Sequence, residues 1–471
     1  MKNAVISLKN KLVTIMGLGV HGGGAAAARH CANRGARVTV TDLRDESVLD
    51  AGLKALGNWE GRLVLGEHRE EDFLGADVIV KNPAVPRNAA LLTRGLESGA
   101  LLATDISLLF AELAALITPD QLRIIAVTGT KGKSSTASAI HHALLSLGCR
   151  SFLGGNITIS PLGFIDELLD AAIHGPTYLV LELSSFQIGD LKMVLSHRDD
   201  GIFRRPDISI LTNMMPDHLD YYSDMNSYVA DKAALFAMTA PDGCLISGRP
   251  GQWEAEFARA AAGRRNLSLA GISELGLEDS LPADPLVPGA HQRENFALAA
   301  MALAELGFRG ADVAHALERF PGVDHRLQYI GCIGMHRVYN DSAATIPQAA
   351  LAAVGAFAEP VHLICGGSDK QLDLSALAEA VSRSHRTYLL AGTATDILIN
   401  SLSPAGKQRV RGPFDSIAAA VSAAADDLSS LESPSVLTLS PGCASFGMFL
   451  NEFDRGRKFV AAVQALPDFK A

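Results

Sequence analysis

The sequence predicts an α/β protein of three consecutive α/β domains, and three observations predict it. Short apolar runs alternate with alanine-rich, helix-like stretches along the chain, the pattern of parallel strands covered by helices. Two glycine-bearing turns, Gly17-x-Gly19-x-x-Gly22 and Gly129-x-x-Gly132-Lys133-Ser134, each stand between such a run and a helix-like stretch. The chain has 471 residues, which at roughly 100–200 residues per domain means two to four domains.

The elements follow in order. In a first domain, 1–118, the run Leu12–Met16 reads as a strand, followed by the glycine turn and an alanine-rich helix to about Arg34. Val38–Thr41 is a second strand ending at Asp42, and Ala76–Val80 another. A boundary falls near Thr118–Gln121. The central domain, 119–321, opens with the strand Ile124–Val127, the second glycine turn and a helix from Ser138 to Leu147. Tyr178–Glu182 and Ile208–Thr212 are further strands, Tyr228–Lys232 lies on a helix, and a helix runs from Asn295 to Leu306. Phe320–His325 reads as a linker. The third domain, 322–471, restarts the pattern with strands at His336–Tyr339, Val361–Cys365, Thr387–Leu390 and Ser435–Leu439.

Composition removes several function classes. A formal net charge of −10 weighs against nucleic acid as the main partner. No apolar run approaches the ~20 residues of a membrane span, and the first residues are too polar for a signal peptide. The six cysteines are scattered, with no CxxC pair, so neither a zinc site nor a disulfide framework is expected. The expectation is a cytoplasmic monomer that acts on small molecules, with no nucleic-acid and no membrane partner.

Each motif has a chemical reading and a plainer one. Gly17-x-Gly19-x-x-Gly22, with Asp42 twenty residues after Gly22, is a dinucleotide-type fingerprint. Its glycines admit a phosphate and its acid accepts from a ribose hydroxyl or a base N–H. The plainer reading is a turn with no ligand, and the fingerprint does not say which nucleotide. The loop from Gly129 through Thr130, Lys131, Gly132 and Lys133 to Ser134 and Ser135 is a phosphate cradle, in which backbone N–H groups and a helix N-terminus face an anion. It is not a Walker A by spacing, because Val127 stands where that motif has glycine. Ser134 or Ser135 can offer a hydroxyl to Mg²⁺.

Glu182 ends an apolar strand, on the sheet edge where α/β ligand sites form. His218, within Asp217-His-Leu-Asp220, follows another strand and should open on the same edge. A lone acid or histidine in such a place is ordinarily solvated, and so is a lone Lys232. Arg326, after the linker, has a planar fork suited to a terminal phosphate. Asn340-Asp341-Ser342, Gly366-Gly-Ser-Asp-Lys370 and Ser440-Pro-Gly-Cys-Ala-Ser445-Phe446 follow strands of the third domain. They suit a small anionic group, or are plain turns.

Together these segments resemble the Mur ligase family, and within it the glutamate-adding branch. The resemblance rests on Gly17-Leu18-Gly19-Val20-His-Gly22 with Asp42-Leu43-Arg44, Thr128-Gly-Thr-Lys-Gly-Lys-Ser-Ser135, and Leu181-Glu-Leu-Ser-Ser-Phe-Gln187. It continues through Asp217-His-Leu-Asp220, Tyr228-x-x-x-Lys232, His291 with Asn295, His325-Arg326, and the three loops of the third domain. It implies a Rossmann-like UDP-binding domain, a P-loop ATPase-like central domain that binds ATP and Mg²⁺, and a Rossmann-like C-terminal domain for an amino acid. The implied reaction is ATP-dependent joining of glutamate to UDP-N-acetylmuramoyl-L-alanine through an acyl phosphate, giving ADP and phosphate.

The resemblance also implies roles. Gly17, Leu18, Gly19, Val20, Gly22, Asp42, Leu43 and Arg44 would hold the UDP moiety. Gly129 to Ser135, Asn295, Arg326 and Asp341 would surround ATP. Ser134 and Glu182 would hold one Mg²⁺ ion, and His218 with a carbamylated Lys232 a second. Lys370, Ser445 and Phe446 would meet the amino acid. Three departures from the family pattern matter, the first of them at positions that the resemblance places close to the amino acid. The common string Asp-Ser-Lys-Ala-Thr-Asn is here Asp341-Ser-Ala-Ala-Thr-Ile346, so lysine becomes Ala343 and asparagine Ile346. The residue after His291 is Gln292, and Asn451-Glu-Phe-Asp-Arg-Gly456 differs in order from the usual ending.

D-Glutamate, L-glutamate and another amino acid all remain open at this point. An NAD-dependent oxidoreductase leaves the phosphate loop, Glu182 and His218 without a task. A non-catalytic nucleotide-binding module leaves Lys133, Glu182, His218 and Lys232 unexplained as a set. A folate-type ligase would lack the UDP-type first domain.

Overall fold

The computed structural model describes residues 7–19, 22–156, 159–197 and 203–471. It contains three sheets, one for each predicted α/β segment. The first has strands β1 (Leu12–Met16), β2 (Arg37–Asp42), β3 (Arg62–Leu65), β4 (Val78–Lys81) and β5 (Leu101–Ala103), in the order β3-β2-β1-β4-β5. All of its pairings are parallel. Its central strands are buried on both faces, which is why they read as unbroken apolar runs. The order reverses between β1 and β4, and ligands of open parallel sheets bind at such a switch point.

The second sheet has β6 (Leu122–Thr128), β7 (Arg150–Gly155), β8 (Thr177–Glu182), β9 (Ile208–Asn213), β10 (Cys244–Arg249) and β11 (Arg265–Ser268), in the order β11-β10-β9-β6-β8-β7. Here β6 lies between β8 and β9, with Val127 opposite Glu182 and Thr128 opposite Leu211. The loops leaving β6, β8 and β9 therefore emerge side by side. The third sheet has β12 (Gln328–Ile333), β13 (His336–Asn340), β14 (Val361–Gly366), β15 (Arg386–Leu390), β16 (Val410–Phe414), β17 (Val436–Leu439) and β18 (Phe469–Lys470), in the order β16-β15-β14-β17-β13-β12-β18. It is parallel from β16 to β13, and β12 and β18 add an antiparallel edge.

The chain divides into two compact units. One runs to Leu281 and takes in Glu294–Leu317; the other comprises Pro282–Arg293 and Glu318–Ala471. The division passes through the helix Ala290–Glu305. Within the first unit the two sheets share one continuous core, in which Leu18, Ile106 and Leu109 belong to the same cluster as Ile124, Leu168 and Leu181.

Three elements differ from the sequence expectation. The helix after the phosphate loop begins at Lys133, not Ser138. Gly132 takes φ 82° at its N-cap, a left-handed conformation that turns the chain straight into the helix. The helix holding Asn295 begins at Ala290. The third sheet's first strand in sequence is β12, which the reading missed. Its Gly331, with φ 137°, sits where the pairing with β13 shifts register. All six cysteines are free. Among the described residues no helix is long and apolar enough to cross a membrane.

Candidate functional site

The first glycine turn leaves β1 at the switch point. Gly17 and Gly19 take φ of 96° and 72°, and a Cβ on either would stand 2.9 Å from the Asn82 side chain, in the loop after β4. Gly22, at φ 79°, caps the helix Gly23–Asn33 with no side-chain cap bond. Leu18 is fully buried in the core, so only its backbone can serve a ligand. Asp42 is buried; its carboxylate accepts from the Gly19 N–H at 3.3 Å and from Arg44 Nη2 at 2.8 Å. Burial pushes this carboxyl up, but the Arg44 and Gly19 hydrogen bonds outweigh that and hold it below its usual range. Leu43 is exposed. Val20 lies outside the described residues.

The second glycine turn is held by its neighbours. Thr130 N–H donates to the Asn213 carbonyl at 2.9 Å, and Lys131 N–H to Asn213 Oδ1 at 2.9 Å. Thr212 Oγ1 donates to the Lys131 carbonyl at 2.6 Å. A Cβ at Gly129 would collide with Thr212 Oγ1, and one at Gly132 with Asn295 Oδ1, so both positions require glycine by space as well as by φ. Lys133 Nζ curls back onto the carbonyls of Gly129 and Thr130, at 3.1 and 3.0 Å. Lys131 is exposed and pairs with Asp217 at 3.2 Å. Ser134 and Ser135 are half-buried on the helix's first turn. Asn295 is buried and accepts from Thr136 Oγ1 at 3.3 Å.

Two charged groups are buried beside this turn. Lys232 is 2% exposed, donates to the Gly129 carbonyl at 2.8 Å, and lies 4.8 Å from the centroid of the Tyr228 ring one helical turn earlier. Burial, and secondarily the charge of Lys133, push its amine well below the ordinary lysine range. Glu182 is also 2% exposed. One of its oxygens accepts from Asn156 Nδ2 at 2.8 Å; the other, Oε2, is buried with no partner among the described residues.

A buried carboxylate oxygen without a partner is costly and is offset when a cation occupies the space before it. The Glu182 side chain therefore suits a hard divalent ion, with Ser134 on the neighbouring helix turn offering an oxygen of the type Mg²⁺ takes. His218 is exposed, stands 5.0 Å from the Phe186 ring and 6.0 Å from the Tyr228 ring, and adopts φ 55°. Such a φ costs roughly 1–2 kcal/mol for a residue with a Cβ. Among the described residues no three His, Cys, Asp or Glu side chains gather at one point, so no ready-made all-acid cage is present.

In the second unit, three loops leave the adjacent strands β13, β14 and β17. Asp341 is the meeting point of two of them: it accepts from the Leu327 N–H at 3.0 Å and from Ser440 Oγ at 2.6 Å. Loss of solvent pushes its carboxyl up to about 6. Ser368 and Ala444 exchange backbone hydrogen bonds at 3.1 and 3.2 Å, and Ser368 Oγ donates to the Phe446 carbonyl. Ser445 is buried, whereas Lys370, Phe446 and Arg326 are exposed. Ile346, at one of the departing positions, is also exposed.

Comparison with known proteins agrees with this arrangement. Residues 127–346 match the Mur ligase middle domain. Over 99% of its length the chain is 36% identical to the UDP-N-acetylmuramoylalanine–D-glutamate ligase of Treponema pallidum (strain Nichols), and it covers 100% of that protein. Over 98% of its length it is 36% identical to the protein of the same name from Roseiflexus sp. (strain RS-1), again covering 100%. The chain belongs to the Mur ligase family. Its fold is like that of the UDP-N-acetylmuramate–alanine ligase MurC from Thermotoga maritima, with a TM-score of 0.52, 18% identity, and coverage of 97% of this chain and 99% of that one.

Several polar residues of this Mur ligase escaped the sequence reading. Asn156 fixes Glu182 from 26 residues away; only the pairing of β7 with β8 brings them together. Asn82 packs over the first glycine turn, and its place directly after a strand at the switch point was the available signal. Lys81, buried behind it, pairs with Asp190 at 2.6 Å, and Arg87 bridges Asp190 and Asp231 at 2.8 and 2.7 Å. This chain of charges ties the loop after β4 to the helix Met225–Met238, which carries Lys232. Arg455, fully buried, had no local signal beyond standing four residues before Phe459 and eight before Val463 on the helix's inward stripe.

Proposed function

We propose that this Mur ligase is an ATP-dependent UDP-N-acetylmuramoyl-L-alanine–D-glutamate ligase of peptidoglycan precursor synthesis. The observation that carries the reading is the convergence, on one edge of the second sheet, of a glycine-held turn bearing Lys133, a carboxylate with an orphaned oxygen, and a desolvated lysine. A carboxylate is a poor acylating agent, so its oxygen first attacks the γ-phosphorus of ATP, giving an acyl phosphate and ADP. The amine of the amino acid then attacks the acyl carbon; phosphate leaves, the nitrogen loses a proton, and an amide remains.

Each residue has a task in this reading. Gly129 to Ser135 and Asn295 seat the ATP phosphates, and Lys133 carries positive charge to the γ-phosphate as charge shifts during transfer. Arg326 and Asp341 are assigned to the nucleotide as well. Ser134 and Glu182 hold one Mg²⁺ ion, and His218 with carbamylated Lys232 a second; when bound, the ions neutralise the approaching anions. Burial lowers the pKa of Lys232 and so favours the unprotonated amine, the form that adds CO₂ and loses a proton to give the carbamate, which supports that assignment. Gly17, Leu18, Gly19, Val20, Gly22, Asp42, Leu43 and Arg44 are assigned to the UDP moiety, and Lys370, Ser445 and Phe446 to the amino acid. The domains are assigned as 1–118, 119–321 and 322–471, acting in the cytoplasm as a monomer.

The test is phosphate release from ATP with UDP-N-acetylmuramoyl-L-alanine and a panel of D- and L-amino acids. Release is expected only with acceptor and amino acid together, fastest with D-glutamate. Release with L-glutamate or another amino acid instead would move the substrate. No acceptor-dependent release with any member of the panel would remove the assignment.

A further inference from the structure

The most unusual buried charge of the second unit has no part in the reaction as described. Arg455 sits in the first turn of the helix Glu452–Gln464 and is 0% exposed. Among the described residues it makes no ion pair. Its guanidinium instead donates to backbone and hydroxyl oxygens of two loops. Nε reaches Ser342 Oγ at 3.0 Å, Nη2 the Ser342 carbonyl at 2.8 Å, and Nη1 the Cys443 carbonyl at 3.2 Å. Ser342 Oγ in turn donates to the Glu452 carbonyl at 2.7 Å, closing the loop onto the same helix turn. Beside it Gly456 leaves no room for a Cβ against His325 Nδ1, and His325 in turn meets Asn340 Nδ2 at 2.9 Å.

Burying a guanidinium with no carboxylate in direct contact is expensive even with Glu452 and Asp341 acting on it at longer range, and an apolar side chain would fill the space at lower cost. Burial depresses this group to about 10. What an apolar residue cannot do is hold two separate loops at fixed spacing; the planar fork of arginine can, with a different nitrogen on each acceptor, whereas the donors of a lysine ammonium all sit on one atom. The two loops are the ones that follow β13 and β17. One bears Asp341, Ala343 and Ile346; the other bears Ser445 and Phe446. The first loop carries no polar side chain at Ala343 or Ile346. Its position is then set by Arg455 and by backbone bonds such as Gly442 N–H to the Ala344 carbonyl, 2.8 Å.

We propose that Arg455 is a positioning residue for the incoming amino acid: it fixes the 341–346 loop against the 440–446 loop, and so the spacing of the groups that receive the substrate. This rests on the ligase reading above. It separates binding of the amino acid from binding of UDP-N-acetylmuramoyl-L-alanine, whose assigned residues all belong to the first unit; ATP is the poorer control, because Asp341 lies on the loop that Arg455 holds.

The experiment is steady-state kinetics of the full chain and its Arg455→Lys variant, each substrate varied in turn with the others saturating. The variant should raise the KM for the amino acid by about 10-fold or more while the KM for UDP-N-acetylmuramoyl-L-alanine stays within about 2-fold, the signature of a lost binding contribution confined to one substrate. If Arg455→Lys does not fold, Ser342→Ala, which removes one acceptor of the three, should show the same split at about 3-fold. A KM for the amino acid that does not move in a folded variant, or KM values for all substrates that rise together as the melting temperature drops, overturns the proposal and leaves Arg455 a purely structural residue. Wild-type protein with no acceptor-dependent turnover is a different result: it removes the ligase reading and this inference with it.

Discussion

The two units place their charges in opposite ways. In the first, two of the groups assigned to the chemistry are buried: Glu182 has an oxygen with no partner among the described residues and Lys232 is desolvated against Gly129. In the second, the groups assigned to recognition, Arg326, Lys370 and Phe446, lie at the surface, and the buried charge, Arg455, is spent on backbone carbonyls. Electrostatic interactions strengthen several-fold away from water, so phosphoryl transfer gains from buried groups. Selection of a small zwitterion depends more on the spacing of loops, and a buried strut provides that without touching the substrate. The difference teaches that a charged residue's burial does not by itself say which kind of work it does; its partners do.

The comparison can be broken most directly at Lys232. Lys232→Ala should lower acceptor-dependent phosphate release on the order of 10³-fold or more, because a buried group beside the transferred phosphoryl is lost, and a small carboxylate such as acetate should restore part of the rate. Full activity of Lys232→Ala with no added acid would sink the carbamate role and make this lysine as structural as Arg455. Glu182→Gln should cost about 10²-fold in kcat and raise the Mg²⁺ concentration needed for half-maximal rate. Its melting temperature should not fall, since the substitution removes a buried charge that makes no ion pair among the described residues, while an amide oxygen can still accept from Asn156. A lower melting temperature with an unchanged Mg²⁺ requirement would place Glu182 among the structural residues.

The smallest effect belongs to the second unit. His362 is buried beside His385, Tyr388 and Asp427, and burial, with the neighbouring His385, holds its imidazole down at about 4. In the unfolded chain it titrates near 6.5. The unfolded state therefore binds the proton first, and this contribution to stability is lost as pH falls from about 6.5 toward 4. The protection factors of the β14 amides, which are corrected for intrinsic exchange at each pH, should fall over that range, and His362→Gln should flatten the change. An equally steep dependence in the variant would move the titrating group elsewhere.

Much of the first unit's site was legible because its encoding is local. A strand, a glycine turn, a lysine and a helix are contiguous at Gly129 to Ser135, and strand ends announce Glu182 and His218. The order of the second sheet, with β6 between β8 and β9, supplied the rest. What stayed hidden was non-local: Asn156 reaches Glu182 only because β7 pairs with β8, and Arg455 meets Ser342 across 113 residues of chain. The strand β12 was missed because a glycine and a register shift interrupt its alternation. Leu18 illustrates the converse. It lies inside a recognisable motif, yet its side chain is core, and no motif distinguishes a backbone role from a side-chain one.

The interleaved partition of the chain has a consequence for its biosynthesis. Residues 282–293 belong to the second unit, but 294–317 return to the first. No single cut frees either unit whole. On the ribosome, where the N-terminal portion of a chain folds first, the first unit is complete only after residue 317 has emerged. By then the opening segment of the second unit has already been made and must wait for Glu318 onward. Covalent order thus obliges the first unit to finish only after a piece of the second has already been made.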